Sequence, residues 1–182
     1  MSKKTKALLY VLRVFMTVLC ITLTGFIVYN SIQTGEASAA QSSRVVDTVQ
    51  EVARVIAPES KIATATGEEY DILHNCIRTL AHITEFLMLG FATFGSCLSF
   101  TLRKRTLLFP SAYVTAIACF DEILQTAISG RVAEFLDVIA DMVGAFSGGL
   151  LACIATTLVI LIYKKGEKHG ARKLGNSSHQ IQ

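Results

Sequence analysis

The sequence predicts an all-α integral membrane protein, a four-helix bundle with an extracytoplasmic amphipathic helix in its first loop. Three observations predict it: four apolar runs of spanning length, basic residues that alternate between successive connections, and ionisable residues inside the runs that keep to one end. A helix needs about 20 residues, each rising ~1.5 Å, to cross a bilayer. The runs cover residues 7–29, 80–102, 107–128 and 138–163. Hydrophobic residues make up 52% of the 182, and the mean hydropathy is +0.49. A soluble helix alternates polar and apolar faces, and large parts of these runs do not. The expected organisation is one membrane domain over 1–163 and a basic, disordered tail over 164–182.

The first run opens behind Lys3, Lys4 and Lys6 and contains Arg13. The small residues Ala37-Ser38-Ala39 make a cleavable leader the rival reading. The apolar stretch is longer than such leaders carry and ends well before those residues, so an uncleaved first helix is preferred. Further basic patches are Arg103-Lys104-Arg105 and Lys164, Lys165, Lys168, Arg172 and Lys173. With the N-terminal lysines these hold eleven of the seventeen Lys and Arg residues, and in a four-span protein they share one side. The positive-inside tendency makes that side cytoplasmic for both termini of a multi-pass cell-membrane protein. Arg13 reaches the inner interface by snorkelling. The net charge of +3 is therefore a topology signal, and no nucleic-acid partner is expected. Cys20, Cys97, Cys119 and Cys153 fall within runs, Cys76 sits at the outer boundary, and no CxxC spacing occurs, so no disulfide is expected.

The first connection, 30–78, is the longest and faces outward. Its opening, Gln33 to Ser43, is expected to be irregular. Val45, Val49, Val52 and Ile56 then recur at helical spacing among Asp47, Gln50, Glu51 and Arg54, with Ser43 as cap and Pro58 as stop. This amphipathic helix lies on the outer membrane surface or over the bundle. Gly67-Glu68-Glu69-Tyr70-Asp71 makes an acidic turn before the second run.

The second helix carries Arg78, His82 and Glu85, whose spacing puts them within about 60° of arc. The third carries Asp121, Glu122 and Gln125 in its last turns. Ser129-Gly130-Arg131 follows, then Glu134, and the fourth begins with Asp137 and Asp141 on the face that continues through Gly144 and Gly148. With the directions set above, each of these polar groups lies near the outer end of its helix. A charge at the bilayer centre costs about 2.5–3.5 kcal/mol on insertion scales. Buried carboxylates must therefore face one another, water or a ligand, and a shared outward-facing polar cavity is the economical arrangement. Taken singly, Asp137 reads equally well as a helix cap and Arg78 as an interface anchor, whereas interhelical glue is the less favoured reading of the His82–Glu85 pair. Gly144 and Gly148 read as a close-packing seam.

These residues resemble the VanZ-like family of bacterial membrane proteins. The resemblance rests on His82-x-x-Glu85-Phe86-x-x-x-Gly90 and on Asp121-Glu122-x-x-Gln125, Gly130-Arg131, Asp137, Asp141 and Gly144. The polar stretch from Ser31-x-Gln33 to Ser42-Ser43 suits it as well, and together these cover about two-thirds of the chain. Asp141 departs from the Asn that many relatives carry, and Ile128-Ser129 lacks the Pro often found before the Gly-Arg pair. The resemblance implies a cell-envelope setting linked to teicoplanin-type glycopeptide resistance.

Two chemistries remain open on these residues. In the first the cavity binds a lipid headgroup, a glycopolymer end or a lipoglycopeptide, with Arg78 and Arg131 on its anionic group and the carboxylates on hydroxyls or amines. In the second a divalent ion held by Asp121, Glu122, Asp137 and Asp141, with His82 as acid or base, acts on a lipid-linked phosphate or glycan. No hydrolase motif such as G-x-S-x-G or H-E-x-x-H is present, which weighs against the second; no catalytic residue is assigned, and no metal ligand or cofactor is assigned either. A small ion-coupled transporter is disfavoured by the apolar inner halves, and a homo-oligomer stays open.

Overall fold

The computed structural model describes residues 3–100, 104–131 and 134–178, all-helical with short connections. Arg103 of the second basic patch and the end of the second expected span lie outside the described residues. The first apolar run forms α1, Lys3–Ser31. Thr34 then caps α2, Gly35–Ile56, its side chain accepting from the Ala37 amide at 3.3 Å. A four-residue α3, Lys61–Thr64, is capped by Ser60. The long α4, Glu68–Phe100, follows. A single 3-10 turn at Lys104–Leu107 leads into α5, Leu108–Thr126, and the chain closes with α6, Phe135–Ser178.

Two stretches expected to be irregular are helical. Gln33 to Ser43 is mostly the first part of α2, because Ala37, Ala39, Ala40 and Gln41 favour helix and Glu36 complements the positive end of the helix dipole. Thr34, not Ser43, is the cap. The acidic stretch after Gly67 is the first turn of α4, where Glu68, Glu69 and Asp71 meet the same dipole. At the other terminus α6 continues beyond residue 164 to Ser178 through helix-favouring Lys, Glu, Ala, Arg and Leu residues.

Three helices are long and apolar enough to cross a membrane: Leu9–Ser31, Glu68–Phe100 and Phe135–Ile162. Their outer faces carry exposed Val14, Phe15, Val18 and Ile21 on α1 and Leu150, Ile154, Leu158 and Leu161 on α6, as a hydrocarbon environment favours. The third expected span is α5, whose 19 residues reach about 28 Å. Asp121, Glu122 and Gln125 lower its apolar character, and it does not join those three.

The register of the cross-contacts gives the helix directions. Arg13 meets Ser99, Thr17 meets Ser96, Cys20 meets Thr93 and Asn30 meets Glu85, so α1 and α4 are antiparallel. Arg78 meets Asp137 and His82 meets Asp141, so α4 and α6 are parallel. Thr24 meets Tyr113 and Ser31 meets Asp121, so α1 and α5 are parallel. The start of α1, the α4–α5 connection and the far part of the α6 span therefore share one end.

The most extensive packing is between α4 and α6. A Cβ added at Gly144 would lie 2.3 Å from the Ile83 carbonyl oxygen, and one at Gly148 would lie 1.9 Å from that of Leu87. Only glycine lets the two backbones approach this closely, as the Gly-x-x-x-Gly spacing implies. Ile27, Phe86, Leu89, Phe94, Val114, Ala118, Ala145 and Ala152 form the apolar core around this seam. All five cysteines are free thiols.

Arg13 is engaged within the bundle. Its Nε donates to the Ser99 carbonyl at 2.9 Å, and its guanidinium lies 5.0 Å from the centre of the Phe100 ring. A cation there satisfies a carbonyl left free at the helix end and complements its negative dipole. Arg13→Ala is expected to cost about 1 kcal/mol and fray the last turn of α4. Amide hydrogen exchange of residues 95–100 checks this, and unchanged protection would show that the contact carries no weight.

Candidate functional site

The helix directions collect the polar residues at one end. The last turns of α1 and α5, the upper part of α4, the start of α6 and the α5–α6 loop meet there beneath α2. Between them lies a cavity of about 520 Å³. Asn30 and Ser31 border it from α1, Ser38, Gln41, Ser42, Val45 and Val49 from α2, and Arg78, His82 and Glu85 from α4. Asp121 and Gln125 of α5 and Arg131 of the loop complete the wall.

α2 holds its place over the cavity through backbone contacts. The Gly35 amide donates to the Ser129 carbonyl at 3.1 Å. A Cβ at Gly35 would lie 2.1 Å from the Gly130 carbonyl oxygen, and Gly130 itself has φ +76°, which a side chain would strain. Further along, the buried Gln50 donates to the carbonyls of Ile62 and Ala65, at 3.2 and 2.9 Å, and draws α3 against α2. The valine stripe expected from spacing is split. Val46 is buried, Val45 and Val49 line the cavity, and Val52, Val55 and Ile56 are exposed.

Within the site the carboxylates are divided among different partners. Asp137 Oδ2 accepts from Arg78 Nη2 at 2.9 Å. One turn on, Asp141 Oδ1 faces His82 Nδ1 at 3.1 Å, and the aspartate is wholly buried. Glu85 accepts from the Asn30 amide at 2.9 Å. Asp121 receives the Ser31 hydroxyl on Oδ1 and the Gln125 amide on Oδ2, the latter at 2.8 Å. Adjacent residues on a helix point about 100° apart, and Glu122 accordingly turns away from its neighbour. It accepts the Glu134 amide at 2.9 Å and fastens the loop before α6. Asp137, Asp141 and Glu122 do not border the cavity; the two aspartates stand behind Arg78 and His82.

Arg131 donates to the Asn30 carbonyl at 3.3 Å. Burial first, and the nearby Arg78 guanidinium second, lower its pKa from the usual arginine value, with Asp121, Glu122 and Asp137 acting in the opposite direction. Two guanidiniums thus share one wall, each in the other's field.

Against known proteins, a family model described as VanZ/LLP1 matches residues 15–156, well over half of the chain. The chain belongs to the VanZ-like family. No curated protein and no solved structure matches it. The VanZ-like match takes in every polar group of the cavity, and with three helices of spanning length it makes this a VanZ-type membrane protein.

Of the nine residues that sequence pattern singled out, Arg78, His82, Glu85, Asp121, Gln125 and Arg131 border the cavity of this VanZ-like chain. The pattern missed Asn30 and Ser31 at the end of the first run, and Ser38, Gln41 and Ser42 on α2. Asn30-Ser31 directly after an apolar run was a signal, since two polar residues there lie within one helical turn of the span.

Proposed function

We propose that the cavity opens to the extracytoplasmic side and binds the polar head of a cell-envelope amphiphile: a lipid headgroup, a glycopolymer end or a lipoglycopeptide. In this reading α5 is the fourth span, both termini are cytoplasmic, and the protein lowers susceptibility to teicoplanin-type glycopeptides. The observation that carries it is the cavity itself, a volume of about 520 Å³ at one end of the helices, bordered by Arg78, Arg131, Glu85 and Asp121 and covered by α2. The guanidiniums suit a phosphate or carboxylate on the ligand, and the carboxylates and amides suit its hydroxyls and amines. An apolar tail would remain in the bilayer beside the exposed faces of α1 and α6. Beneath the cavity Phe86, Leu89, Val114 and Ala118 close the core, which supports a binding site open at one end over a conduit. The four-carboxylate metal set is not supported, because Asp137 is committed to Arg78 and the donors that come together are those of His82, Asp121 and Asp141.

Two substitutions of different kinds test the proposal. Arg131→Ala removes a cation from the wall, and Ser42→Phe fills the space without changing charge. A charge-assisted hydrogen bond contributes about 1.5–3 kcal/mol, so Arg131→Ala is expected to weaken binding tenfold or more. Both variants should abolish protection against teicoplanin in a Gram-positive host at unchanged membrane levels. Retained protection in both would rule out the cavity as the working site.

A further inference from the structure

We propose that His82, Asp121 and Asp141 form a binding site for one divalent metal ion, set in the inner wall of the cavity. The three come from α4, α5 and α6, and one donor atom from each lies within 4.8 Å of the others. Donors on one ion at bonds of about 2.1 Å lie roughly 3.0–3.4 Å apart, so binding draws the three donor atoms together by up to about 1.5 Å.

The charges around the triad ask for a cation. Arg78 is engaged with Asp137, and Arg131 donates to a backbone carbonyl. Asp121 and Asp141 are almost entirely buried; Asp141 faces His82, and among the described residues Asp121 meets only the neutral Ser31 hydroxyl and Gln125 amide within hydrogen-bond distance. Two carboxylates out of water need compensation by positive charge or hydrogen bonds.

The second observation concerns oxygens with nothing to bond. Among the described residues Asp141 Oδ2, Gln125 Oε1 and Glu122 Oε1 are fully buried and receive no hydrogen bond, and the first two belong to the triad or to its hydrogen-bond partner. The Gln125 amide nitrogen is spent on Asp121, a member of the triad, and the oxygen of the same amide is left unpartnered. Buried acceptors without donors are rare in native proteins, and an ion is one of the few things that satisfies several at once. His82 and Asp121 also border the cavity, so an ion has a route in.

The donor set is one imidazole with carboxylate and amide oxygens. That combination suits a divalent first-row ion able to take both nitrogen and oxygen, of which Mn²⁺ is the most oxygen-tolerant and the most readily observed. This site differs from the carboxylate set that sequence spacing suggests: His82 enters as a ligand, and Glu122 and Asp137 leave. It stands whether or not the cavity binds an envelope amphiphile.

The test uses Mn²⁺ alone on the full-length protein in lipid nanodiscs, stripped with chelator and dialysed. Electron paramagnetic resonance is expected to show one bound ion per chain, with nitrogen hyperfine coupling from one imidazole. His82→Ala should lose that coupling, and Asp141→Asn, which keeps the shape of the side chain, should weaken binding about tenfold or more. Glu51→Gln, on the exposed face of α2, should bind as wild type. No bound Mn²⁺ in the folded wild type overturns the proposal, as does binding that His82→Ala and Asp141→Asn leave unchanged. Because no lipid or antibiotic is present, failure here is separate from failure of the envelope-ligand reading.

Discussion

Gly148→Ala is expected to destabilise the protein by about 3 kcal/mol and to deplete it from the membrane fraction. The added Cβ would lie 1.9 Å from the Leu87 carbonyl oxygen and 2.8 Å from the Phe91 amide nitrogen, both of which are backbone. No rotamer change relieves such an overlap, so α4 and α6 must move apart along their most extensive contact. Because the same two helices carry the Arg78–Asp137 and His82–Asp141 pairs, the displacement reaches the cavity wall as well. Gly25→Ala is the matched control. Gly25 lies in α1 with nothing within 4 Å, so alanine there should gain about 1 kcal/mol from helix propensity. Denaturant titration of both variants in one detergent checks the pair. Equal stabilities would mean that the seam is looser than its geometry.

The second large effect is expected at Arg78. Removing its side chain strands Asp137, whose carboxylate is 9% exposed, without its ionic partner. Breaking a buried pair from one side costs about 3–5 kcal/mol, and the 33% exposure of the Arg78 side chain sets the expectation lower, at about 2 kcal/mol. Arg78→Ala combined with Asp137→Asn should recover most of that loss, since no charge is then left unpaired. A double-mutant cycle reads the coupling, with a value above about 1 kcal/mol expected for two residues in contact. Additive losses would show that Asp137 finds its compensation elsewhere, and the parallel pairing of α4 with α6 would then rest on the glycine seam and the His82–Asp141 pair.

Much of the fold was legible because a bilayer sets strict conditions on sequence. The apolar runs at 7–29, 80–102 and 138–163 each lie in or largely within helices of spanning length, since a helix is the one way such a run satisfies its backbone in hydrocarbon. The lengths were less legible. Ten residues at the start of α4, 68–77, and nine at the start of α2, 35–43, are polar or mixed, and they read as loop because hydropathy is blind to helix outside the membrane. Alanine content and acidic first turns were the available signals. In the site, i, i+4 and i+7 spacing put Arg78, His82 and Glu85 on one face of α4, and the structure keeps them there at the cavity. Spacing could not tell Asp121 from Glu122. They are neighbours in sequence, yet one joins the cavity wall and the other fastens a loop, because about 100° of rotation separates them and only the packed neighbours give that rotation a direction.

By itself, then, the sequence determined the all-helical membrane class, the family, and which polar residues belong to one end of the molecule. Those follow from hydrophobicity and local periodicity, which act along the chain. Tertiary structure alone decided which carboxylate meets which partner, that α2 roofs the cavity, and that His82, Asp121 and Asp141 converge from three helices. Those contacts join residues far apart in the chain, 90 positions in the case of Ser31 and Asp121. They depend on the crossing of whole helices: the Gly144–Gly148 spacing marks a seam, but only the packed structure shows that it meets Ile83 and Leu87 of α4.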